Sequence, residues 1–482
     1  MTSPTKPVSA PSTQSTLAPD LLARFAAIVG DKYAITDADT QHPYLVEMRD
    51  LYVGHTPVVL RPGTVAEVSA ILKLANETRT AIVPQGGNTG LVGGQIPLNG
   101  EVVLSLNRLN RIREVDAVSN TITCDAGVTL QQAREAAVAV DRLYPLLLPS
   151  EGTCTIGGNL STNAGGVTAL SWGIARAQAV GLEVVLADGR ILDNLNKLKK
   201  DNTGYDLKNL FIGAEGTLGV ITGAVLKLVP RPRSVETAFV GLASPEAALK
   251  LLGLALSRAG SDVTSYELIE RLGIDGVLKH VAGTRDPLAG RHEWYVLIEL
   301  SSQAESGLRD TLEAILAEGL DSGLVEDAAI ADSGAQAKAF WHIREMFAEV
   351  QRRIGVSIKH DISVPVATVP EFIARAHAAT RAAFPGSRPL AFGHLGDGNI
   401  HYNVIQPEDV EKDAWVARWA EVNKVVWDIV LSLNGSISAE HGVGVMKRDE
   451  LPGIKNPVAY ALMQSLKHML DPNGILNPGK VL

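Results

Sequence analysis

Cysteine is almost absent from this chain: Cys124 and Cys154 stand alone among 482 residues. Two thiols cannot build a disulfide framework, and neither lies in a CxxC or beside a histidine, so both read as buried structural thiols. No uninterrupted apolar run approaches the roughly 18 residues that a membrane span needs. Positive charge is also in deficit, with 44 Lys and Arg against 53 Asp and Glu and a net charge of −9. Nucleic acid and anionic membranes both favour a basic surface, so neither a nucleic-acid partner nor a transmembrane segment is expected. A local basic pocket for an acidic substrate is compatible with that average. No arginine precedes Arg24, and the first 18 residues lack an apolar stretch, which speaks against a transit peptide and a secretory signal. Residues 1–18, rich in Ser, Thr, Pro and Ala, read as a disordered tail. The expected location is cytoplasmic.

What is present describes a globular protein of about three ordinary domains, with 46% hydrophobic and 20% charged residues. Short strands and helices alternate up to Pro230-Arg231-Pro232-Arg233, the clearest break in composition. Beyond it, strands near 235–242, 263–268, 294–300 and 323–330 with helices at 245–257 and 305–318 predict a β-α-β-β-α-β unit of the ferredoxin type. Helices at 333–352, 369–383 and 409–432 follow, and a last helix over 455–469 stops at Asp471-Pro472-Asn473-Gly474. The predicted organisation is an α+β protein with domains at 19–232 and 233–435, and a C-terminal segment, 436–482, returning to the first.

Two glycine-dense stretches fall in the first domain. Gln85-Gly86-Gly87-Asn88-Thr89-Gly90 continues to Gly93-Gly94, and the second stretch, Pro149–Gly166, contains Gly152, Thr155, Gly157-Gly158 and Gly165-Gly166. Without a Cβ, glycine lets backbone amides converge on an anion. Ordinary turn glycines explain either loop alone; two together point to a pyrophosphate. Neither spacing is GxGxxG or GxxxxGK[ST], which disfavours a dinucleotide fold of the Rossmann type and a P-loop.

In the second domain His394 and His401 flank Asp397-Gly398. A type I′ turn centred on Asp-Gly predicts that His394 pairs with His401, with Cβ atoms roughly 4.5–5.5 Å apart. Such a pair can share a metal ion, and Glu440 is the candidate third ligand. Two imidazoles and a carboxylate with an open position suit catalytic zinc, with manganese or iron open. Asn403 shares the face of His401 and is a candidate substrate contact. His441 is the candidate general base, since imidazole titrates near neutrality. It can serve the same site as Glu440 only if the chain bends, which Gly442 and Gly444 permit. Arg344 and Lys359 are candidate carboxylate binders, although each read alone is also an ordinary surface charge.

Pro84–Pro97, Pro149–Gly166 and Tyr205–Thr222 resemble the FAD site of the vanillyl-alcohol oxidase/para-cresol methylhydroxylase flavoproteins. The second half is similar to their D-2-hydroxyacid dehydrogenase branch, and the likeness covers nearly the whole chain after about residue 40. The resemblance implies a two-subdomain FAD-binding domain of the vanillyl-alcohol oxidase type, a ferredoxin-like substrate (cap) domain and a C-terminal helical segment. It implies that Pro84–Gly90 and Gly152–Gly158 hold FAD phosphates and ribityl groups, with Asn163 and Gly166 near the isoalloxazine and Glu215, Gly219 and Ile221 on the adenine side. The first loop has no histidine or cysteine, so noncovalent FAD is implied. The resemblance also implies His394, His401 and Glu440 as ligands, and Arg344 and Lys359 as the grip on the distal carboxylate of D-2-hydroxyglutarate. Those relatives usually carry threonine one turn after the arginine, where this chain has Ala348, so D-lactate or D-malate stays open. The expected reaction is oxidation of a D-2-hydroxyacid to the 2-oxoacid, hydride passing to flavin N5, with electrons going on to an acceptor such as an electron-transferring flavoprotein or a quinone. An oxidase using O₂ and a non-flavin metal-dependent hydrolase or binding module are the rivals, and a homodimer stays open.

Overall fold

The computed structural model describes residues 8–9 and 17–482, so the expected disordered tail lies almost wholly outside the described residues. The chain forms two compact units. One comprises the described residues up to Gly166 together with Gly173–Arg231 and Glu440–Leu482; the other comprises Val167–Trp172 and Pro232–Ala439. The expected α+β class is what the fold shows.

The first, loop-bearing unit holds a four-stranded and a five-stranded sheet besides two two-stranded pairings. In the smaller, strands follow the order Ala34–Ile35, Val59–Leu60, Val102–Ser105, Ile82–Gln85, and the last three are parallel. Helix Val65–Thr78 buries Val68, Ile71, Leu72 and Ala75, the spacing of a single apolar face. Its start is fixed by Thr64, whose hydroxyl accepts from Glu67 N at 3.2 Å. The larger sheet is antiparallel, in the order Ile191–Asn194, Ala179–Val185, Val220–Lys227, Thr121–Asp125, Ile112–Asp116. The C-terminal residues join this unit along the edge of strand 82–85: Ile82 N donates to Ile475 O and Asn477 N to Ile82 O, both at 2.8 Å.

The second, histidine-bearing unit is built on one seven-stranded antiparallel sheet. Its order is Asp327–Ile330, Ser234–Leu242, Trp294–Ser302, Val263–Glu270, Arg388–His394, Asn399–Ile405, Ser357–Ser363. The first four strands with helices Pro245–Ala259 and Leu308–Asp321 form the predicted β-α-β-β-α-β unit. Helix Arg271–His280 was not foreseen. Gly273 and Gly276 lower its intrinsic propensity, but a Cβ on Gly273 would come within 2.2 Å of Phe347. Those glycines therefore allow helix Phe347–Ile354 to pack closely, and tertiary contact makes the helix. The single helix expected over 333–352 is two, Gly334–Glu345 and Phe347–Ile354, divided at Met346.

The hairpin register differs from the prediction. His394 pairs with Asn399, Gly393 with Ile400 and Phe392 with His401. Leu395–Asp397 is a 3₁₀ turn, and of Asp397 and Gly398 only the glycine has positive φ, at 80°, whereas a type I′ turn needs two such residues. Neighbours impose the longer loop: Gly396 packs against Leu170, and Val364 N donates to Gly398 O at 3.1 Å. The slip moves His394 two positions along its partner strand. An even slip keeps every side chain on its face, so both histidines still share a face, with ring centroids 5.5 Å apart.

Candidate active site

The histidine-bearing unit concentrates polar groups on one face of its sheet, where the alternation of strand side chains puts them together. Glu267 lies opposite His394, Asn399 opposite both His394 and Ser363, Asp361 opposite His401, and Lys359 opposite Asn403. Glu267 is fully buried. It binds His394 Nδ1 at 2.5 Å through one oxygen and Arg344 Nε at 2.6 Å through the other. Burial alone would raise this carboxyl, but the charges of His394 and Arg344 and their hydrogen bonds outweigh it and bring it to about 2. A metal bound by His394 would therefore sit on Nε2, with Nδ1 on a carboxylate, the usual arrangement of a metal-ligating histidine. His401 Nδ1 stands 3.8 Å from Asp361 Oδ1, and Asp361 Oδ1 accepts from Asn399 Nδ2 at 2.9 Å. The donor set fits a divalent cation.

Arg344 also stacks its guanidinium on Phe392, 4.9 Å from the ring centroid. Its Nε is used by Glu267, so the bidentate side of the fork, Nη1 and Nη2, carries the remaining donors. Asn403 is buried and donates from Nδ2 to Gln351 Oε1 at 2.8 Å. Ala348 is exposed just beyond the helix break at Met346. Sequence reasoning missed Glu267 and Asp361. The available clue was a carboxylate in the middle of an apolar strand, which is costly unless paired.

In the loop-bearing unit the two glycine stretches touch. A Cβ on Gly87 would come 1.9 Å from Thr153 O, and one on Gly86 would come 2.3 Å from Thr155 Oγ1. Only glycine allows that approach. Gly87, Gly152, Thr153, Thr155, Thr129 and Gln132 line a cavity of about 300 Å³. Helix Ile156–Thr162 does open in the second stretch, but its Gly158 amide is already taken by Thr155 Oγ1 at 3.3 Å. Asn163 has φ 54° and accepts from Arg176 N at 3.0 Å; a Cβ on Gly166 would meet Leu147 O. Gly219 packs against Val184 and Phe211, and the Ile221 side chain belongs to the buried core.

The same unit gathers the C-terminal motif onto these loops. Glu215 accepts from Val443 N at 2.7 Å and Gly444 N at 2.9 Å, and burial raises its carboxyl while those amides and Lys447 oppose the rise. Val445 N donates to Val92 O at 2.9 Å in the first stretch. A methyl group on Gly165, in the second, would sit 3.2 Å from Glu440 Oε2. All three stretches that carry the resemblance thus converge on Glu440–Val445. The bend expected there is present, with φ 86° at Gly442 and 51° at Gly444. His441 Nε2 lies 3.9 Å from Glu440 Oε1.

The loops fit a large phosphate-bearing cofactor. Gln85 Oε1 and Asn88 Oδ1 are buried acceptors without a hydrogen-bond partner, and such atoms in a native fold call for a ligand or water.

Residues 231–481 match the family of C-terminal domains of FAD-linked oxidases, and residues 56–194 match the FAD binding domain. The chain belongs to the FAD-linked oxidase family. It is an FAD-dependent oxidoreductase, and FAD is its cofactor. A protein of Oryza sativa subsp. indica named probable D-2-hydroxyglutarate dehydrogenase, mitochondrial, is 39% identical over 469 residues, covering 97% of this chain and 82% of that one. A Xanthomonas citri pv. viticola protein named D-2-hydroxyglutarate dehydrogenase is 35% identical over 463 residues, covering 96% and 97%. Among solved structures, p-cresol methylhydroxylase aligns with a TM-score of 0.76 at 16% identity, covering 99% of this chain and 98% of that one. That likeness places this FAD-linked oxidase in the same fold. Among the described residues, no helix is long and apolar enough to cross a membrane.

Proposed function

We propose that this FAD-linked oxidase oxidises a D-2-hydroxyacid, D-2-hydroxyglutarate foremost, to the 2-oxoacid. The observation that carries the reading is the shared polar face: His394 and His401 sit together on it, and one buried carboxylate, Glu267, holds both His394 and the anion-binding Arg344. The named relatives support the substrate class.

The flavin, when bound, supplies the acceptor for the hydride that leaves C2. His394, His401 and Glu440 would hold a divalent cation, zinc in the first instance, which would supply a Lewis acid for the 2-hydroxyl and its neighbouring carboxylate. Ala439, the residue before Glu440, donates its amide to Asp361 O at 3.2 Å. His441 accepts the hydroxyl proton on an imidazole nitrogen. Arg344 grips the distal carboxylate through Nη1 and Nη2, Lys359 adds a point charge, and Asn403 orients the acid, so the C2–H bond is presented in one geometry.

Ala348 favours a second reading, a shorter acid such as D-lactate or D-malate, because it lacks the hydroxyl donor that the dicarboxylate pattern carries. Dye-linked initial rates with both enantiomers of 2-hydroxyglutarate, malate and lactate test the assignment. The highest kcat/KM belongs to D-2-hydroxyglutarate; equal rates for L-enantiomers would sink it.

A further inference from the structure

Within the histidine-bearing unit, one apolar side chain touches both functional groups of the polar face. Phe392 pairs directly with His401 across the hairpin and stands two residues before His394 on its own strand. Strand alternation therefore puts the three side chains on one face. The Phe392 ring centroid is 5.1 Å from that of His401, with the planes inclined at 47°. The guanidinium carbon of Arg344 stands over the same ring, 4.9 Å from its centroid. A single ring thus contacts the candidate carboxylate grip and a candidate cation ligand.

Phe392 is itself held in place. It is 5% exposed and meets Phe347 edge-on, with centroids 5.2 Å apart at 71°. Phe347 is fully buried, pressed so closely on helix Arg271–His280 that a Cβ on Gly273 would come within 2.2 Å of it. Arg344, by contrast, is a long side chain with several rotatable bonds. Glu267 holds its Nε at 2.6 Å, which fixes one point and leaves the guanidinium plane free to swing about it. The Phe392 face supplies the second restraint, because a guanidinium lies flat on an aromatic ring and keeps its remaining N–H groups available for a carboxylate. Core packing accounts for the contact with Phe347, but it does not require an aromatic face beneath a guanidinium. An acid gripped at one end by Arg344 and at the other by a cation on His394 and His401 would span a distance that this ring fixes.

We propose that Phe392 is a positioning residue that sets the span between Arg344 and His401, and that this span selects dicarboxylic 2-hydroxyacids by length. The proposal rests on the 2-hydroxyglutarate reading of the site. Isothermal titration of the wild-type holoenzyme with succinate, glutarate and adipate tests it without any substitution. Glutarate, which has the carboxylate spacing of 2-hydroxyglutarate, should bind about 10-fold more tightly than either neighbour. Phe392→Leu keeps an apolar side chain and removes the ring face. It should weaken glutarate binding about 10-fold, level the three affinities, and lower the kcat/KM ratio of D-2-hydroxyglutarate to D-lactate by a similar factor. Phe392→Tyr keeps the ring and should match wild type in both measurements. A level wild-type series, a leucine variant with unchanged length preference, one that loses diacids and D-lactate alike, or a tyrosine variant that behaves as the leucine one overturns the proposal. Wild-type enzyme that turns over D-lactate better than D-2-hydroxyglutarate overturns the substrate reading itself.

Discussion

Glu267→Gln removes the charge that holds His394 and Arg344 while keeping the side chain's shape. The carboxyl stands at about 2, against an ordinary 4.5, with burial opposed by the charges and hydrogen bonds of His394 and Arg344. That difference corresponds to roughly 3 kcal/mol, similar to the roughly 3–5 kcal/mol lost when one member of a buried ion pair is removed. The sign follows from the depressed value. The stabilisation is present above 4.5 and is lost as pH falls through that value towards 2, with roughly half gone near pH 3. Urea midpoints of wild type and Glu267→Gln between pH 7 and pH 3 measure it. The gap should be widest at neutral pH and narrow steadily below about 4.5. Parallel curves would refute the reasoning, because they would show that the carboxylate's charge contributes nothing. On the proposed metal site, the same variant should bind an added divalent cation roughly 10–100-fold more weakly, the usual consequence of losing a carboxylate behind a metal-ligating histidine.

His441→Ala should keep the visible flavin spectrum and lose roughly 10²–10⁴-fold in the rate of reduction by substrate; stopped-flow absorbance decides. Arg344→Met should raise KM for D-2-hydroxyglutarate far more than for D-lactate, which has no distal carboxylate, and an equal rise would contradict that role. Ala348→Thr, restoring a hydroxyl one turn after Arg344, should lower KM for D-2-hydroxyglutarate roughly 2–10-fold. Gly87→Ala would drive a methyl into Thr153 O, 1.9 Å away. It should therefore abolish FAD retention on gel filtration.

Much of this architecture was legible because its determinants are local. The strands of the ferredoxin-like unit show in their apolar runs. The glycine loops were legible for a related reason, since only close backbone approach requires glycine at Gly86 and Gly87. Three features were hidden because tertiary contacts decide them. The hairpin turn is set by Leu170 and Val364, far away in sequence; helix Arg271–His280 depends on Phe347; and Glu267 acquires meaning only when pairing brings His394 opposite. The predicted register was two residues out, yet the shared histidine face survived because strand side chains alternate with period two.

The most direct test of a metal-assisted oxidation is anaerobic bleaching of the purified protein's flavin absorbance by D- and L-2-hydroxyacids, with and without a chelator. Bleaching by D-acids alone, abolished by the chelator while the flavin stays bound and restored by added zinc or manganese, is the predicted result. Reduction that proceeds equally well in the chelator, or that does not discriminate between enantiomers, would contradict it.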